Sequence, residues 1–228
     1  MPKPDPILVA KGATKTYGDL TALAPLDLRV APGQMVALVG HNGSGKSTFL
    51  RLASGLLELT GGTIDVAGFP AGTVDARTAV SFLPDDPVLY DDLSVREHLA
   101  YIAALHGVEA SEADFDELIG RIGLAARADD LPARFSRGLR QKASIAVALV
   151  RPFQLLLVDE PFVGLDATGK QALLELLDEI HGDGAAVVVA THDPSFVERV
   201  ERCVALRDGE VVHDGSATPA DVLRLVGT

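Results

Sequence analysis

The sequence contains very little cysteine, no tryptophan and no long apolar run. Because Cys203 is the single cysteine among 228 residues, the chain cannot form an internal disulfide, which is typical of proteins from a reducing compartment. The longest apolar runs, FQLLLV and AAVVVA, have strand length and fall far short of the ~18 residues of a membrane-spanning helix. The first residues, MPKPDPIL, lack the charged and then apolar order of a secretory signal. These absences favour a cytoplasmic location and leave docking on a membrane partner open.

Basic charge is also scarce. Lys and Arg number 20 against 32 Asp and Glu, so the formal net charge is −12. This balance argues against broad binding to nucleic acids or anionic lipids, since both require a basic surface. Any bound phosphate must therefore be held locally, by backbone amides and one or two cations. Hydrophobic residues make up 47% of the chain, which is enough for a sizeable core.

The apolar pattern predicts a mixed α/β fold. Strands are predicted in ILVAKGATKTYG and PLDLRVAPGQMVALVG, and in the runs FQLLLV and AAVVVA, whose continuous apolar character is typical of strands buried on both faces. Capping residues predict helices after Ser94, Ser111 and Ser136, and RDGEVVHDG predicts a hairpin-like pair of strands. We therefore expect one core formed by 1–87 and 150–228, interrupted by a helical segment at 88–149.

Residues Gly40 to Ser47, GHNGSGKS, match the phosphate-loop pattern G-x-x-x-x-G-K-[ST]. In such a loop glycines let the backbone wrap an anion, Lys46 reaches the β- and γ-phosphates, and the Ser47 hydroxyl binds Mg²⁺. The context agrees, because VALVG before the loop predicts a strand and STFLRLASG after it predicts a helix. A dinucleotide-binding G-x-G-x-x-G is excluded, since Thr48 stands where its last glycine is required. The predicted phosphate-binding residues are Gly40, His41, Asn42, Gly43, Ser44, Gly45, Lys46, Ser47 and Thr48.

Further candidate residues follow the predicted buried strands or precede the phosphate loop. Asp159 ends the strand LLLVD, where a carboxylate can hold the Mg²⁺ that bridges nucleotide phosphates. Glu160 can orient or deprotonate an attacking water. His192 follows AAVVVAT and is either a γ-phosphate contact or a structural histidine, and Tyr17 either stacks on a purine or packs in a turn. Glu160, His192 and Lys46 are therefore the predicted catalytic residues.

Taken in order along almost the whole chain, these motifs resemble the ATP-binding subunit of ABC transporters. The series is an A-loop aromatic residue (Tyr17), Walker A (GHNGSGKST), a Q-loop-like segment (SFLPDDPVLYDDLSV), a signature-like segment (FSRGL), Walker B (LLLVDE), a D-loop (GLD) and an H-loop (TH). The resemblance implies a P-loop NTPase core with a mixed β-sheet, an antiparallel β subdomain and an inserted α-helical subdomain. It also implies ATP and Mg²⁺ as cofactors.

The resemblance implies two partners as well. One is a second nucleotide-binding subunit, identical or different, in a head-to-tail dimer that encloses two ATP molecules. In such a dimer the signature-like segment meets the γ-phosphate of ATP held by the other subunit, and Asp166 of the D-loop acts across the interface. The signature residues so implied are Ser136, Arg137, Gly138 and Leu139. The other partner is an integral membrane permease, which would hold the chain at the cytoplasmic face of the membrane; no nucleic acid is implied.

Two segments depart from the usual ABC pattern. Arg137 and Leu139 replace the first glycine and the glutamine of Leu-Ser-Gly-Gly-Gln. Arg137 is expected either to point to solvent or to offer a guanidinium to a phosphate. Asp85 stands where glutamine is usual, and we interpret it as a coupling residue and a candidate Mg²⁺ ligand beside Ser47 and Asp159. In both departures the sequence is similar to exporters whose ATPase and membrane subunits are separate chains.

The sequence therefore predicts an ATPase subunit that powers a transporter through ATP-driven dimer closure. The similarity to exporters with separate ATPase and membrane subunits predicts that this transporter is an exporter. A soluble ABC ATPase that drives assembly or regulation without transport has the same motifs and stays open as an alternative. A small P-loop kinase or GTPase agrees less well, because a GTPase requires a guanine-reading N-K-x-D and the sequence contains none.

Overall fold

The computed structural model describes residues 5–226, and these divide into two compact units. The sheet unit comprises the chain up to Phe82, Phe153–Glu160 and the chain from Ile180 onward. The helical unit comprises Leu83–Pro152 and Pro161–Glu179. Within residues 5–226, no helix combines the length and the apolar character required to cross a membrane.

Short apolar runs rich in β-branched residues form two sheets. The antiparallel sheet contains β1 (Leu8–Tyr17), β2 (Leu20–Val30), β4 (Gly61–Val66) and β5 (Phe69–Pro70), in the spatial order β2-β1-β4-β5. The larger sheet contains β3 (Met35–Val39), β6 (Val80–Leu83), β7 (Leu155–Asp159), β8 (Ala186–Thr191), β9 (Arg202–Arg207) and β10 (Glu210–Gly215). Its order is β10-β9-β3-β8-β7-β6. β3 is parallel to both β8 and β9, β7 is parallel to β8, and β10 is antiparallel to β9.

The central strands of the larger sheet bring the site together. Every residue of β3, β7 and β8 is buried, which explains why their sequences are continuously apolar rather than alternating. Helix α1 (Lys46–Ala53) follows β3 and buries Phe49 and Leu50 in the same core. Because parallel strands end at one edge of a sheet, the phosphate loop after β3 and the polar residues that end β7 and follow β8 gather at that edge.

The remaining helices include three that begin at serine N-caps, Ser94, Ser111 and Ser136. The remaining helices are α2 (Val74–Ala79), α3 (Val95–Leu105), α4 (Glu112–Arg121), α5 (Arg137–Leu149), α6 (Ala167–Gly182) and α7 (Pro219–Val226). Ser94 and Ser111 each form a capping box at the start of α3 and α4. The expected fold class, an α/β P-loop NTPase with a mixed sheet, an antiparallel sheet and inserted helices, is confirmed.

The boundaries of the helical unit differ from the expected segment 88–149. The unit begins at Leu83 and ends its first part at Pro152, and it also takes Pro161–Glu179, which contains most of α6. The sequence pattern assigns 161–179 to the core because this segment follows directly on β7. Its packing is instead decided by contacts with α5, which is distant in sequence.

Candidate active site

The phosphate loop is shaped by glycines in conformations that other residues adopt at a cost. Gly43 and Gly45 have φ of 85° and 103°, in the left-handed region. Gly40 is required for a different reason, since a Cβ there would lie 2.2 Å from Ser44 Oγ and 2.5 Å from the Leu206 carbonyl oxygen. α1 then starts at Lys46 with no side-chain cap and no acidic residue in its first turn, so its first amides are available to an anion.

Lys46 lies over the loop and beside Glu160. Its Nζ donates to the Gly40 carbonyl oxygen at 2.7 Å and to the His41 carbonyl oxygen at 3.3 Å. It also lies 3.3 Å from Glu160 Oε1, and both side chains are largely buried, at 5% and 11% exposure. The structure therefore places a buried ammonium where a phosphate loop needs its cation.

Two buried side-chain oxygens of the described chain lack a hydrogen-bond partner, and both belong to this site. They are Ser44 Oγ, in the phosphate loop, and Glu160 Oε1. Buried polar atoms are nearly always hydrogen-bonded in folded proteins, and exceptions concentrate where a ligand or water completes the set. These two oxygens without a hydrogen-bond partner, together with the uncapped start of α1, indicate a site built for a polar ligand.

Ser47 and Asp159 form the candidate metal position. The Ser47 hydroxyl donates to Asp159 Oδ1 at 3.0 Å, and Asp159 is 1% exposed. In residues 5–226 no group of three His, Cys, Asp or Glu could hold a metal by itself. This donor set fits Mg²⁺, which commonly takes one or two protein oxygens and completes its shell with nucleotide phosphates and water. The candidate ligand Asp85 lies in the helical unit, and its metal role stays a prediction.

Glu160 sits in a strained backbone conformation directly after β7. Its φ is 44°, which is uncommon for a residue with a side chain and typical of functional sites. Its Oε2 accepts the backbone N–H of His192 at 3.3 Å and lies 2.8 Å from His192 Nδ1. The His192 side chain is 59% exposed, whereas that of Glu160 is 11% exposed. Glu160 is thus held between Lys46 and His192, with the histidine on the open side.

The turn between β9 and β10 supports the phosphate loop, a contribution that the sequence motifs do not reveal. The Gly209 N–H donates to the Ser44 carbonyl oxygen at 3.1 Å, and the Gly209 carbonyl oxygen accepts the Ala24 N–H at 2.9 Å. Asp208 Oδ1 lies 3.6 Å from His41 Nε2. The dipeptide Asp208-Gly209 is a recognisable turn signal, but nothing in the sequence says against which loop the turn packs.

Tyr17 is exposed at the end of β1 rather than packed in a turn. Its side chain is 52% exposed, and Lys15 Nζ lies 5.1 Å from the ring centroid. An exposed ring face leaves the purine-stacking interpretation intact. Asn42 is exposed in the phosphate loop and Thr48 is half-buried in α1.

The signature-like segment forms the first turn of α5 in the helical unit. Ser136 is its N-cap, as predicted, and its hydroxyl accepts the Leu139 N–H at 3.3 Å. Gly138 is required by a close approach, because a Cβ there would lie 2.4 Å from the Gly164 carbonyl oxygen. Arg137 is 61% exposed, and its guanidinium lies 3.4 Å from Asp85 Oδ1. This exposure is consistent with the solvent-facing outcome expected for Arg137, whereas the partner Asp85 was not expected.

Asp166 is engaged within its own chain. Its Oδ1 accepts the Gly169 N–H at 2.8 Å and lies 3.1 Å from Lys142 Nζ of α5. The Gly169 N–H, followed by Lys142, lowers the pKa of this carboxyl below its ordinary value. The charged side chain therefore fixes the start of α6 on α5, while its action across a subunit interface stays a prediction.

Comparison with known proteins identifies the family of the chain. Residues 23–163 match the family described as ABC transporter. The chain belongs to this family. It is 36% identical over 94% of its length to the macrolide export ATP-binding/permease protein MacB 1 of Aeromonas hydrophila, of which the match spans 35%. It is 34% identical over 90% of its length to the ABC-type transporter ATP-binding protein EcsA of Bacillus subtilis, of which the match spans 85%.

Solved structures of ABC ATPases have the same fold. An ATP-binding subunit of an ABC transporter superposes with a TM-score of 0.85 at 33% identity, over 97% of this chain and 95% of that chain. The ATP-binding cassette MJ0796, in a dimeric post-hydrolysis state bound to ADP and Pi, superposes with a TM-score of 0.83 at 27% identity, over 92% of this chain and 98% of that chain. The predicted family and the predicted ATPase activity are confirmed: the chain is an ATP-binding ABC ATPase.

Proposed function

We propose that this ABC ATPase powers an exporter as a separate subunit, working as a head-to-tail dimer. The observation that supports hydrolysis most directly is Glu160, which is buried between Lys46 and His192 and whose Oε1 pairs with Lys46 at 3.3 Å but accepts no hydrogen bond. The relatives named for macrolide export support the direction of transport. The EcsA match supports a separate ATPase subunit, because it spans 85% of that protein.

The residues divide the work of phosphoryl transfer to water. The phosphate-loop amides and Lys46 hold the β- and γ-phosphates and neutralise their charge. Ser47 and Asp159 would hold Mg²⁺, which would supply further charge neutralisation to the bound nucleotide. Glu160 orients the attacking water and accepts its proton, and the Nδ1 of His192, 2.8 Å from Oε2, keeps that carboxylate in place.

ATP closes the dimer in this proposal. The first turn of α5, capped by Ser136, meets the γ-phosphate of the nucleotide in the other subunit. A capped helix start without acidic residues suits an anion, since its amides and dipole favour negative charge. The dimeric MJ0796 structures support a dimer by similarity.

An exposed aromatic and aliphatic patch on the helical unit supports a membrane permease as partner. Its members are Val88 at 84%, Tyr90 at 54%, Tyr101 at 42% and Leu105 at 61% exposure. The rings of Tyr90 and Tyr101 pack edge to face at 5.7 Å, so these two members contact each other. Grouped exposed apolar side chains commonly mark a protein interface. The permease would hold the chain at the cytoplasmic face of a membrane.

The dimer and the role of Glu160 are tested together by Glu160→Gln. The amide keeps the size of the side chain but cannot accept a proton, so turnover should fall by about 10²- to 10⁴-fold, while ATP binding survives and the closed dimer accumulates. Phosphate release and the mass in solution with ATP and Mg²⁺ measure the two effects. Glu210→Gln, an exposed change on β10, is the control and should leave both unchanged. Full turnover in Glu160→Gln would contradict the assigned base, and a monomer at all ATP concentrations would contradict dimer closure.

A further inference from the structure

The first turn of α5 carries two arginines that face one acidic loop. This acidic loop is residues 84–93, PDDPVLYDDL, and contains four aspartates. Arg137 lies 3.4 Å from Asp85 Oδ1, and Arg140 lies 3.8 Å from Asp91 Oδ1. All of these residues belong to the helical unit. Charge complementarity therefore joins the two ends of the loop to the same helical turn.

The far part of the acidic loop is also fixed by a buried histidine. His98 is 3% exposed on α3. Its Nε2 accepts the Tyr90 N–H at 2.8 Å, so the ring proton is on Nδ1, which donates to the Ser94 carbonyl oxygen at 2.7 Å. The position of the loop near Tyr90 is thus determined by neutral hydrogen bonds, whereas Asp85 meets α5 through an ion pair.

Arg137 contacts a third segment with its aliphatic stem. A Cβ on Gly164 would lie 3.4 Å from Arg137 Cγ and 3.5 Å from Cδ, so the stem packs on this glycine. Gly164 belongs to the segment 161–169, which also contains Asp166, and its carbonyl oxygen closely approaches Gly138. One side chain therefore lies between the acidic loop, the start of α5 and the 161–169 segment.

We propose that Arg137 and Asp85 are paired positioning residues for ATP hydrolysis. Their ion pair keeps the acidic loop and the 161–169 segment in register with the first turn of α5, whose amides must point at a phosphate. The inference rests on the proposed function, because it is there that α5 meets the nucleotide of the other subunit. It also explains why the two departures from the usual ABC motifs occur together in this chain: each charge is the partner of the other.

The expected effect is modest and specific to turnover. Exposed ion pairs contribute little to stability, so loss of this pair should leave the melting temperature nearly unchanged. Loss of register at α5 should lower kcat by roughly two- to fivefold, the range corresponding to one exposed pair. The affinity for ATP should not change, since the phosphate loop lies in the sheet unit.

A double-mutant cycle tests the pair. Arg137→Ala and Asp85→Ala should each lower kcat, and the double variant should be no slower than either single variant. Combining Arg137→Asp with Asp85→Arg should restore most of the rate that each reversal alone removes. Arg127 and Asp130 are the matched control, because they form a comparably exposed pair, 2.9 Å apart, in the same unit. Arg127→Ala and Asp130→Ala should leave kcat unchanged.

Hydrogen exchange gives a readout that requires no hydrolysis. In the full chain, each single variant should speed amide exchange in the acidic loop and in 161–169, and the reversed pair should slow it again. Additive losses of kcat without rescue, or exchange unchanged in both segments, would overturn the inference. Values of kcat that fall across the variants only in step with their melting temperatures would also overturn it. Wild-type ATPase activity that rises only in proportion to protein concentration, without the steeper rise expected of a dimer, would instead contradict the proposed function. In that case the hydrogen-exchange data alone would test whether the Arg137–Asp85 pair fixes the two segments.

Discussion

At the scale of single residues, the site depends on charged side chains that are buried, so that the loss of one charge affects the stability of the fold. The side chains of Lys46 and Glu160 are 5% and 11% exposed and lie next to each other. Removing one partner of a buried pair leaves the other charge uncompensated, which costs more than the pair contributes. The residues that the motif singles out for chemistry are therefore also sensitive points of the fold.

Lys46→Ala should weaken ATP binding by about 10- to 100-fold, because a charge-assisted hydrogen bond contributes about 1.5–3 kcal/mol. Titration calorimetry measures the affinity directly. Lys11→Ala, an exposed change on β1, is the control and should bind ATP like the wild type. Equal ATP affinities in the two variants would contradict the assignment of Lys46 to phosphate binding.

Cys203 should be unreactive at neutral pH. It is 1% exposed on β9, and burial raises the pKa of its thiol to about 11. The thiolate is the reactive form, so thiol reagents should modify the native protein slowly and the urea-unfolded protein fast. Because the folded pKa lies above the ordinary 9.0, the associated stability is complete below pH 9.0 and is lost as the pH rises toward 11. Ser216→Cys supplies an exposed thiol for comparison, and equal native rates at the two positions would contradict burial.

At the scale of elements, α5 organises the helical unit. Its first two turns contact the acidic loop through Arg137, the carbonyl of Gly164 through Gly138, and Asp166 through Lys142. The buried Gln141 side chain donates to the Pro161 carbonyl oxygen at 3.5 Å. One helix therefore determines where both the signature-like residues and the segment containing Asp166 lie.

Gly138→Ala should lower both stability and ATPase activity. The new Cβ would meet a backbone carbonyl at 2.4 Å, so α5 and the segment at Gly164 must separate. Overpacking of this kind costs about 1–3 kcal/mol. Gly120→Ala is the control, because a Cβ at this position of α4 meets nothing within 4 Å. It should raise stability by about 0.5–1 kcal/mol. Urea unfolding compares the two, and a Gly138→Ala variant as stable as Gly120→Ala would show that the close approach is not required.

Most elements could be predicted because their signals are local. Serine caps start α3, α4 and α5 where the sequence indicates, and continuous apolar runs become the buried strands β7 and β8. The partner of Arg137 could not be predicted in the same way. Asp85 lies 52 residues away in sequence, and no periodicity or spacing relates an arginine in a helical turn to an aspartate in a distant loop.

At the scale of the whole molecule, the acidic balance limits what the chain can bind without a partner. A net charge of −12 opposes approach to an anionic bilayer. The chain alone should therefore stay in the supernatant when it is sedimented with vesicles rich in phosphatidylglycerol at low salt. Neutral phosphatidylcholine vesicles are the control. Binding to the anionic vesicles that disappears as salt is raised would contradict this expectation and reveal a local basic surface.

The sequence by itself determined the family and the order of the elements and predicted the nucleotide site, because phosphate binding requires fixed residue types at fixed spacing and strand burial leaves continuous apolar runs. Only the tertiary structure decided which charges face each other. Glu160 meets Lys46 and His192 because β3, β7 and β8 end at one edge of a sheet. Arg137 meets Asp85, and the turn at Gly209 supports Ser44, because packing brings together segments that are distant in sequence.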